Sequence, residues 1–167
     1  MNNEFDIFNA SILIVDDQPV NVQLLEQLLA QTGYTRVSST LNPQTVCALH
    51  EQNNYDLILL DLKMPVMDGF QVMEGLKKNS ADRYLPVIVL TAEPAHKLRA
   101  LQAGAKDFIS KPFDLVEVKT RIYNMVEVRL LYRKLENYSK LLELATQQIS
   151  SELNEAKPAD VTVTAAL

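Results

Sequence analysis

The stretch Asp56-Leu57-Ile58-Leu59-Leu60-Asp61-Leu62-Lys63-Met64-Pro65-Val66-Met67-Asp68-Gly69-Phe70 decides the fold. A segment of strand length, Asp56 to Leu60, unbrokenly apolar from Leu57 on, meets an acid and then a loop punctuated by Pro and Gly. Beyond the loop, Phe70, Val72, Met73 and Leu76 recur at helical spacing. A continuous apolar strand is one covered on both faces, which calls for a parallel sheet with helices on either side.

The same strand-then-helix unit repeats outward from this stretch. Upstream, Ser11 to Val15 reads as a strand, and Pro19 opens a helix carrying Val22, Leu24, Leu25, Leu28 and Leu29 that Gly33 ends. Thr35 to Ser39 is a short strand, followed by Asn42 and Pro43 as cap and first-turn residue of a helix running through Val46 and Leu49 to about Gln52. Downstream, Leu85 to Leu90 and Lys106 to Ser110 read as strands, with a helix from Pro94 to Ala103 between them, stopped by Gly104. From Phe113 the pattern stays helical far beyond the ~12 residues of an average helix. Five strands alternating with five helices predict an α/β fold: a doubly wound five-stranded parallel sheet in the order 2-1-3-4-5 with an extended C-terminal helix.

Composition bounds what such a chain does. With 167 residues, 47% of them hydrophobic, it supports one domain of ordinary size plus a further element, and needs no disulfide or metal to fold. A net charge of −5 with scattered basic residues argues against a nucleic-acid surface. No apolar run approaches the ~20 residues that cross a bilayer, and MNNEFDIFNA carries acids where a secretory signal carries bases, so a cytoplasmic protein without membrane association is expected. The single Cys47, among Val46, Ala48 and Leu49, reads as a small helix hydrophobe.

The strand ends carry the chemistry. Asp16 and Asp17 follow the first strand, Asp61 the third, Thr91 the fourth and Lys111 the fifth. In a parallel sheet all of them reach the carboxyl edge, where open α/β folds place their ligands. Taken singly, the first two acids could cap a helix, Asp61 could merely end a strand and Lys111 could be solvated. Their joint placement favours a site. Three carboxylates without a counter-charge repel one another, and a divalent cation relieves this. Hard oxygen donors in an incomplete shell suit Mg²⁺, with Mn²⁺ as the alternative. A metal, an ammonium and a hydroxyl around one carboxylate are arranged to stabilise phosphoryl oxygens during in-line transfer to Asp61.

From Ser11 to about Arg129 the chain resembles the receiver domains of two-component response regulators. The resemblance rests on ILIVDDQP, LILLDLKMPVMDGF, VIVLTAE and DFISKPF. It implies a flavodoxin-like fold and a phospho-acceptor role for Asp61, charged by a histidine kinase or phosphotransfer protein. It also implies metal ligation by Asp17, Asp61 and the Lys63 backbone carbonyl, with Asp16 acting through metal-bound water. Thr91, the Ala92 N–H and Lys111 would hold the phosphoryl oxygens, and Thr91 with Phe108 would form the switch. Phe108 also reads as a plain core strand residue. A cis Lys111-Pro112 bond is expected, as is an unusual backbone conformation at Gly69.

Further residues flank this constellation. Lys63 and Glu93 stand two residues beyond Asp61 and Thr91, where they could pair over the pocket mouth and slow the attacking water, or remain two solvated charges. His50 and His96 are expected on helix surfaces away from the acids. Met64 and Met67 are expected to pack, and Met125 to face a core.

Beyond the receiver-like part, Val128, Leu131, Leu135, Tyr138, Leu142, Ala145 and Ile149 alternate spacings of three and four. This is a heptad seam, predicting a parallel two-stranded coiled coil with a second copy, against the alternative of a helix folding back on its own domain. The expected organisation is an N-terminal extension over 1–10, a receiver domain over 11–127, a coiled-coil dimerisation helix over 128–156 and a disordered tail over 157–167. The expected function is that of a phospho-accepting response regulator, dimeric, acting on a protein effector and catalysing only its own phosphorylation and dephosphorylation. The alternative is the N-terminal regulatory part of a longer enzyme that makes or degrades a cyclic dinucleotide.

Overall fold

The structure, a computed structural model, describes residues 7–79 and 84–156. Five strands form one parallel sheet: β1 (Ser11–Val15), β2 (Arg36–Thr40), β3 (Leu57–Asp61), β4 (Val87–Thr91) and β5 (Asp107–Ser110), in the spatial order β2-β1-β3-β4-β5. They alternate with α1 (Pro19–Thr32), α2 (Val46–Asn53), α3 (Gly69–Asn79), α4 (Pro94–Ala103) and α5 (Leu115–Glu155). This is the doubly wound order expected from the sequence.

Side-chain alternation along the strands divides the core into two layers. Ile12, Ile14, Leu57, Leu59, Ile88 and Leu90 face one side, where Leu25 and Leu29 of α1 and Val118, Ile122 and Val126 of α5 cover them. Leu13, Val15, Ile58, Leu60, Val87 and Val89 face the other, beneath Val46 of α2, Val72, Met73 and Leu76 of α3, and Ala100 of α4. Because both faces are dry, β1, β3 and β4 are buried at every position. The edge strand β2, Arg-Val-Ser-Ser-Thr, is largely exposed, and its polar side chains protect an open edge.

Helix boundaries follow local chemistry. Pro19 and Pro94 occupy first turns, where the missing N–H is not needed, and Gly33 and Gly104 end α1 and α4 in left-handed conformations at φ 111° and 109°. Asp114 Oδ1 accepts hydrogen bonds from Val116 N and Glu117 N, so α5 starts at Leu115 rather than Phe113. The helix expected from Asn42 begins instead as a 3₁₀ turn (Pro43–Thr45), with the Asn42 side chain accepting from Gln44 N.

Strands β2, β3 and β5 start one residue later than the sequence indicates, and β4 two residues later. Asp56 is not a ladder residue: its buried carboxylate accepts from Ser11 N. Pro86 has no N–H to contribute, while its carbonyl accepts from Ile58 N.

Two units are distinguished, one ending at Leu131 and the other beginning at Tyr132. The first reaches further than residue 127 because Arg129 is buried, donates through Nη1 to the Tyr84 carbonyl, and lies with Nε 3.7 Å from Asp56 Oδ1. It also takes in part of the segment expected as an extension, since Ile7 and Ala10 belong to the core. In the second unit the residues 132–155 are helical, and Leu135, Tyr138, Leu142 and Ile149 are exposed. The expectation for 157–167 lies outside the described residues, as does that for 1–6. No described helix is long and apolar enough to cross a membrane.

Candidate functional site

Sheet register builds the site. Val15 pairs with Leu60, Asp61 with Leu90, and Thr91 with Ser110, so Asp16, Asp61, Thr91 and Lys111 stand at successive places along one edge. Carboxylate oxygens of Asp16, Asp17 and Asp61 lie within 4.8 Å of one another. Lys111 Nζ reaches across to Asp16 Oδ2 at 2.9 Å and Asp61 Oδ1 at 3.1 Å. The Lys111-Pro112 peptide is cis.

The three acids are not equivalent. Asp16 is fully buried and fully engaged: Oδ1 accepts from Gln18 N at 2.9 Å, while Oδ2 accepts from Asn21 Nδ2 at 3.0 Å and from Lys111. Asp61 Oδ1 accepts from Lys63 N at 3.4 Å. Asp17 Oδ1, by contrast, is buried without a hydrogen-bond partner among the described residues. Burying a carboxylate oxygen unpaired is costly, so this oxygen fits a position that a cation completes. An all-oxygen donor set of this kind suits a hard divalent ion such as Mg²⁺.

Burial pushes the Asp61 carboxyl above its ordinary range, Lys111 opposing this and Asp16 reinforcing it. At Lys111 burial works against the ammonium, but the hydrogen bond to Asp16 and the charges of Asp61 and Asp16 outweigh it and hold the group above its usual value. Thr91 is buried, with its hydroxyl turned to the backbone of Glu93: Oγ1 accepts from Glu93 N at 3.0 Å. Asp61, Thr91 and Lys111 line a cleft of about 240 Å³ together with Asn21, Ala92 and Glu93.

Gly69 is required for space, not for the unusual conformation expected of it. Its φ is not in the left-handed region, but a Cβ there would lie 2.6 Å from the Asp61 carbonyl oxygen. The positive φ in this loop belongs to Val66, at 73°. Met64 is buried and Met67 packs against the second core layer. Phe108 is half-buried, with Lys97 Nζ 4.6 Å and Arg121 Cζ 5.5 Å from its ring centroid.

Lys63 and Glu93 are paired across the cleft mouth. The histidines, both expected on exposed helix surfaces, differ from that reading. His50 is buried, its Nδ1 accepting from Tyr55 N at 3.2 Å, because α2 ends there and the chain turns back under it. His96 lies in the cleft wall, with Nε2 3.2 Å from Glu93 Oε2. Three residues separate it from Glu93, one helical turn, which is the signal that could have found it.

The family model for the response regulator receiver domain matches residues 12–123, and the chain belongs to that family. The chain is 37% identical over 129 residues to the response regulator PleD of Caulobacter vibrioides, a match covering 76% of this chain and 28% of that protein. It is 32% identical over 164 residues to a probable cyclic di-GMP phosphodiesterase of Vibrio cholerae, covering 97% of this chain and 37% of that one. The matches therefore span 28% and 37% of the length of these relatives, well under half of either. Among solved structures, the receiver domain of a sensor histidine kinase from Pseudomonas aeruginosa, with magnesium coordinated in its active site cleft, is 31% identical at a TM-score of 0.65, the match covering 71% of this chain and 98% of that one. A putative response regulator from Chloroflexus aurantiacus is similar at 26% identity and a TM-score of 0.67, with the same coverage. As a receiver domain the chain is a signal-transduction module of the two-component type, a class that binds Mg²⁺ in its acidic pocket and interacts with histidine kinases or phosphotransfer proteins.

Proposed function

We propose that Asp61 accepts a phosphoryl group from a phosphohistidine of a kinase or phosphotransfer protein. The observation that carries the reading is the buried Asp17 oxygen beside Asp61, without a hydrogen-bond partner among the described residues, with Lys111 facing both Asp61 and Asp16. Asp17, Asp61 and the Lys63 carbonyl would hold Mg²⁺, and the fully hydrogen-bonded Asp16 would act through a metal-bound water. When bound, the metal neutralises charge on the acids and on the phosphoryl oxygens.

An Asp61 carboxylate oxygen attacks phosphorus in line, the phosphorus–nitrogen bond breaks, and its electron pair stays on the departing imidazole. Lys111 and the Ala92 N–H receive phosphoryl oxygens. Thr91, whose hydroxyl donates to the Glu93 carbonyl oxygen at 3.4 Å, would donate to a phosphoryl oxygen instead, and this rotation is coupled to Phe108, two residues before the end of the neighbouring strand β5. No outside substrate is turned over by this unit; it catalyses its own phosphorylation and dephosphorylation.

Output passes to a protein effector and, through the exposed seam, to a second copy of the chain. In aqueous solution the apolar residues from Val128 to Ile149 have every reason to meet an identical stripe, since the 3-4 spacing gives a seam too narrow for a globular core. Residues 1–10, 11–127, 128–156 and 157–167 would then be extension, receiver, dimerisation helix and tail, the first boundary being softened by the buried Ile7 and the second by the buried Arg129.

A second reading, the regulatory part of a longer cyclic-dinucleotide enzyme, is favoured by one observation: the similarity to the probable cyclic di-GMP phosphodiesterase takes in 97% of this chain, the long helix included. Labelling tests the common core of both readings. With Mg²⁺ and acetyl phosphate carrying a labelled phosphoryl group, the protein takes up label and Asp61→Asn does not; equal behaviour of the two overturns the assignment.

A further inference from the structure

Glu93 sits between Lys63 and His96 at the entrance to the cleft. It accepts from Lys63 Nζ on Oε1, and Oε2 lies 3.2 Å from His96 Nε2. His96 is itself placed edge-on to Phe70 of α3, with ring centroids 6.1 Å apart and planes at 88°. Arg99 covers the same Phe70 ring at 3.9 Å. Lys63 belongs to the loop after β3, Glu93 and His96 to the start of α4, so the trio spans the gap between the loop after β3 and the start of α4.

We propose that His96 is a positioning residue for the lifetime of the phosphoryl group, fastening Glu93 and Lys63 across the cleft mouth when its imidazole is protonated. The proposal rests on Asp61 being the phospho-acceptor. Loss of the group requires a water oxygen to attack phosphorus in line. The bond from phosphorus to the Asp61 oxygen breaks, its electron pair returns to the carboxylate, the water proton passes to solvent, and inorganic phosphate leaves. The attacking water has to enter past Lys63 and Glu93.

Histidine is the side chain that changes charge between about pH 5 and 8. The charged groups around His96 are Glu93 in contact, Lys63 beyond it, Arg99 on the far side of Phe70, and Lys111 with the acids deeper in the cleft. Glu93 is already held below its ordinary range, first by the Lys63 hydrogen bond, and so is an anion throughout this interval. An imidazolium attracts it with full charge, and a neutral imidazole offers at most one N–H. The bracket is therefore tighter with the imidazole protonated than with it neutral.

The experiment uses the full chain loaded from acetyl phosphate in Mg²⁺, freed of donor, and followed by phosphate-affinity gel at pH 6 and pH 8. Wild type is compared with His96→Gln, fixed neutral, His96→Lys, fixed cationic, and Glu93→Gln. The wild-type lifetime is expected to exceed that of His96→Gln by about two- to fivefold at pH 6, the scale on which exposed ion pairs act, and to converge with it at pH 8. His96→Lys should be long-lived at both pH values, and Glu93→Gln short-lived at both. A wild-type to His96→Gln ratio independent of pH, or a short-lived His96→Lys, overturns the proposal. Thermal melts of each variant separate unfolding from these effects. If wild type takes up no phosphoryl group, the acceptor reading itself has failed and this inference falls with it, a result visible before any comparison at His96.

Discussion

Lys111 Nζ lies 2.9 Å from Asp16 Oδ2, an ion pair between residues 95 apart in sequence, with Asp16 fully buried and Lys111 one-fifth exposed. The ammonium reaches two of the three acids, Asp16 and Asp61, and partly neutralises them. It therefore stabilises the metal-free domain while competing with a cation for the same oxygens.

From this pairing, Lys111→Met is expected to lose about 1–3 kcal/mol in the metal-free state, the worth of hydrogen bonds to charged groups. Magnesium should recover more of that loss than it adds to wild type, because three carboxylates then face it without a competitor. Thermal denaturation with chelator and with Mg²⁺ measures both quantities. Equal Mg²⁺ stabilisation of the two proteins would refute the competition.

Asp61 makes stability depend on pH in a definite direction. Burial raises its carboxyl above its ordinary value, so the folded chain holds this proton more tightly than the unfolded chain. The favourable contribution is complete below the unfolded value and is lost as pH rises through the raised folded one. In chelator, Asp61→Asn should thus be more stable than wild type at pH 7, and the gain should shrink towards pH 4. Urea titrations at the two pH values read this out.

Gly69→Ala should destabilise the domain by about 1–3 kcal/mol, as overpacking does. The added methyl meets the Asp61 carbonyl oxygen at 2.6 Å and Leu62 Cα at 2.9 Å, both backbone atoms that cannot turn aside. Because that backbone carries the acceptor side chain, Mg²⁺ affinity should fall as well. An unchanged melting temperature and affinity would show that the β3–α3 loop yields more easily than its contacts indicate.

Tyr34 is buried, packs edge-on against Phe8, and its hydroxyl has no hydrogen-bond partner among the described residues. Burial, then Tyr123, pushes its pKa up to about 12. Removing an unsatisfied hydroxyl relieves its desolvation, so Tyr34→Phe should be neutral or stabilising by up to about 1 kcal/mol. Denaturant unfolding distinguishes this from the loss that a hidden hydrogen bond would produce.

Leu135→Asp and Leu142→Asp should convert a dimer into a monomer in sedimentation experiments, since each places a carboxylate in the proposed seam. The receiver unit should keep its melting temperature apart from the concentration dependence of dimerisation. A wild-type chain that sediments as a monomer at all concentrations would remove the seam from the functional account.

The order of strands, the positions of Asp16, Asp17, Asp61, Thr91 and Lys111 at one sheet edge, and the stripe beyond Val128 were all legible in the linear pattern. Apolar runs, turn residues and periodicity are local, and the right-handed crossover leaves few ways to assemble them. Strand limits were less legible, as at Asp56 and Pro86, because ladder membership depends on what the neighbouring strand offers.

Tertiary structure alone decided the differences among like residues. Asp16 and Asp17 are adjacent in sequence, yet one is saturated with donors from Gln18, Asn21 and Lys111 while the other keeps a buried oxygen free of partners among the described residues. His50 and His96 both lie on helices, yet one supports a turn inside the core and the other stands over the cleft. Gly69 serves by its lack of a side chain against the Asp61 backbone rather than by its φ. Hydrophobic periodicity specifies which face of an element turns inward, but the partner that each polar atom meets is fixed only when distant segments pack together.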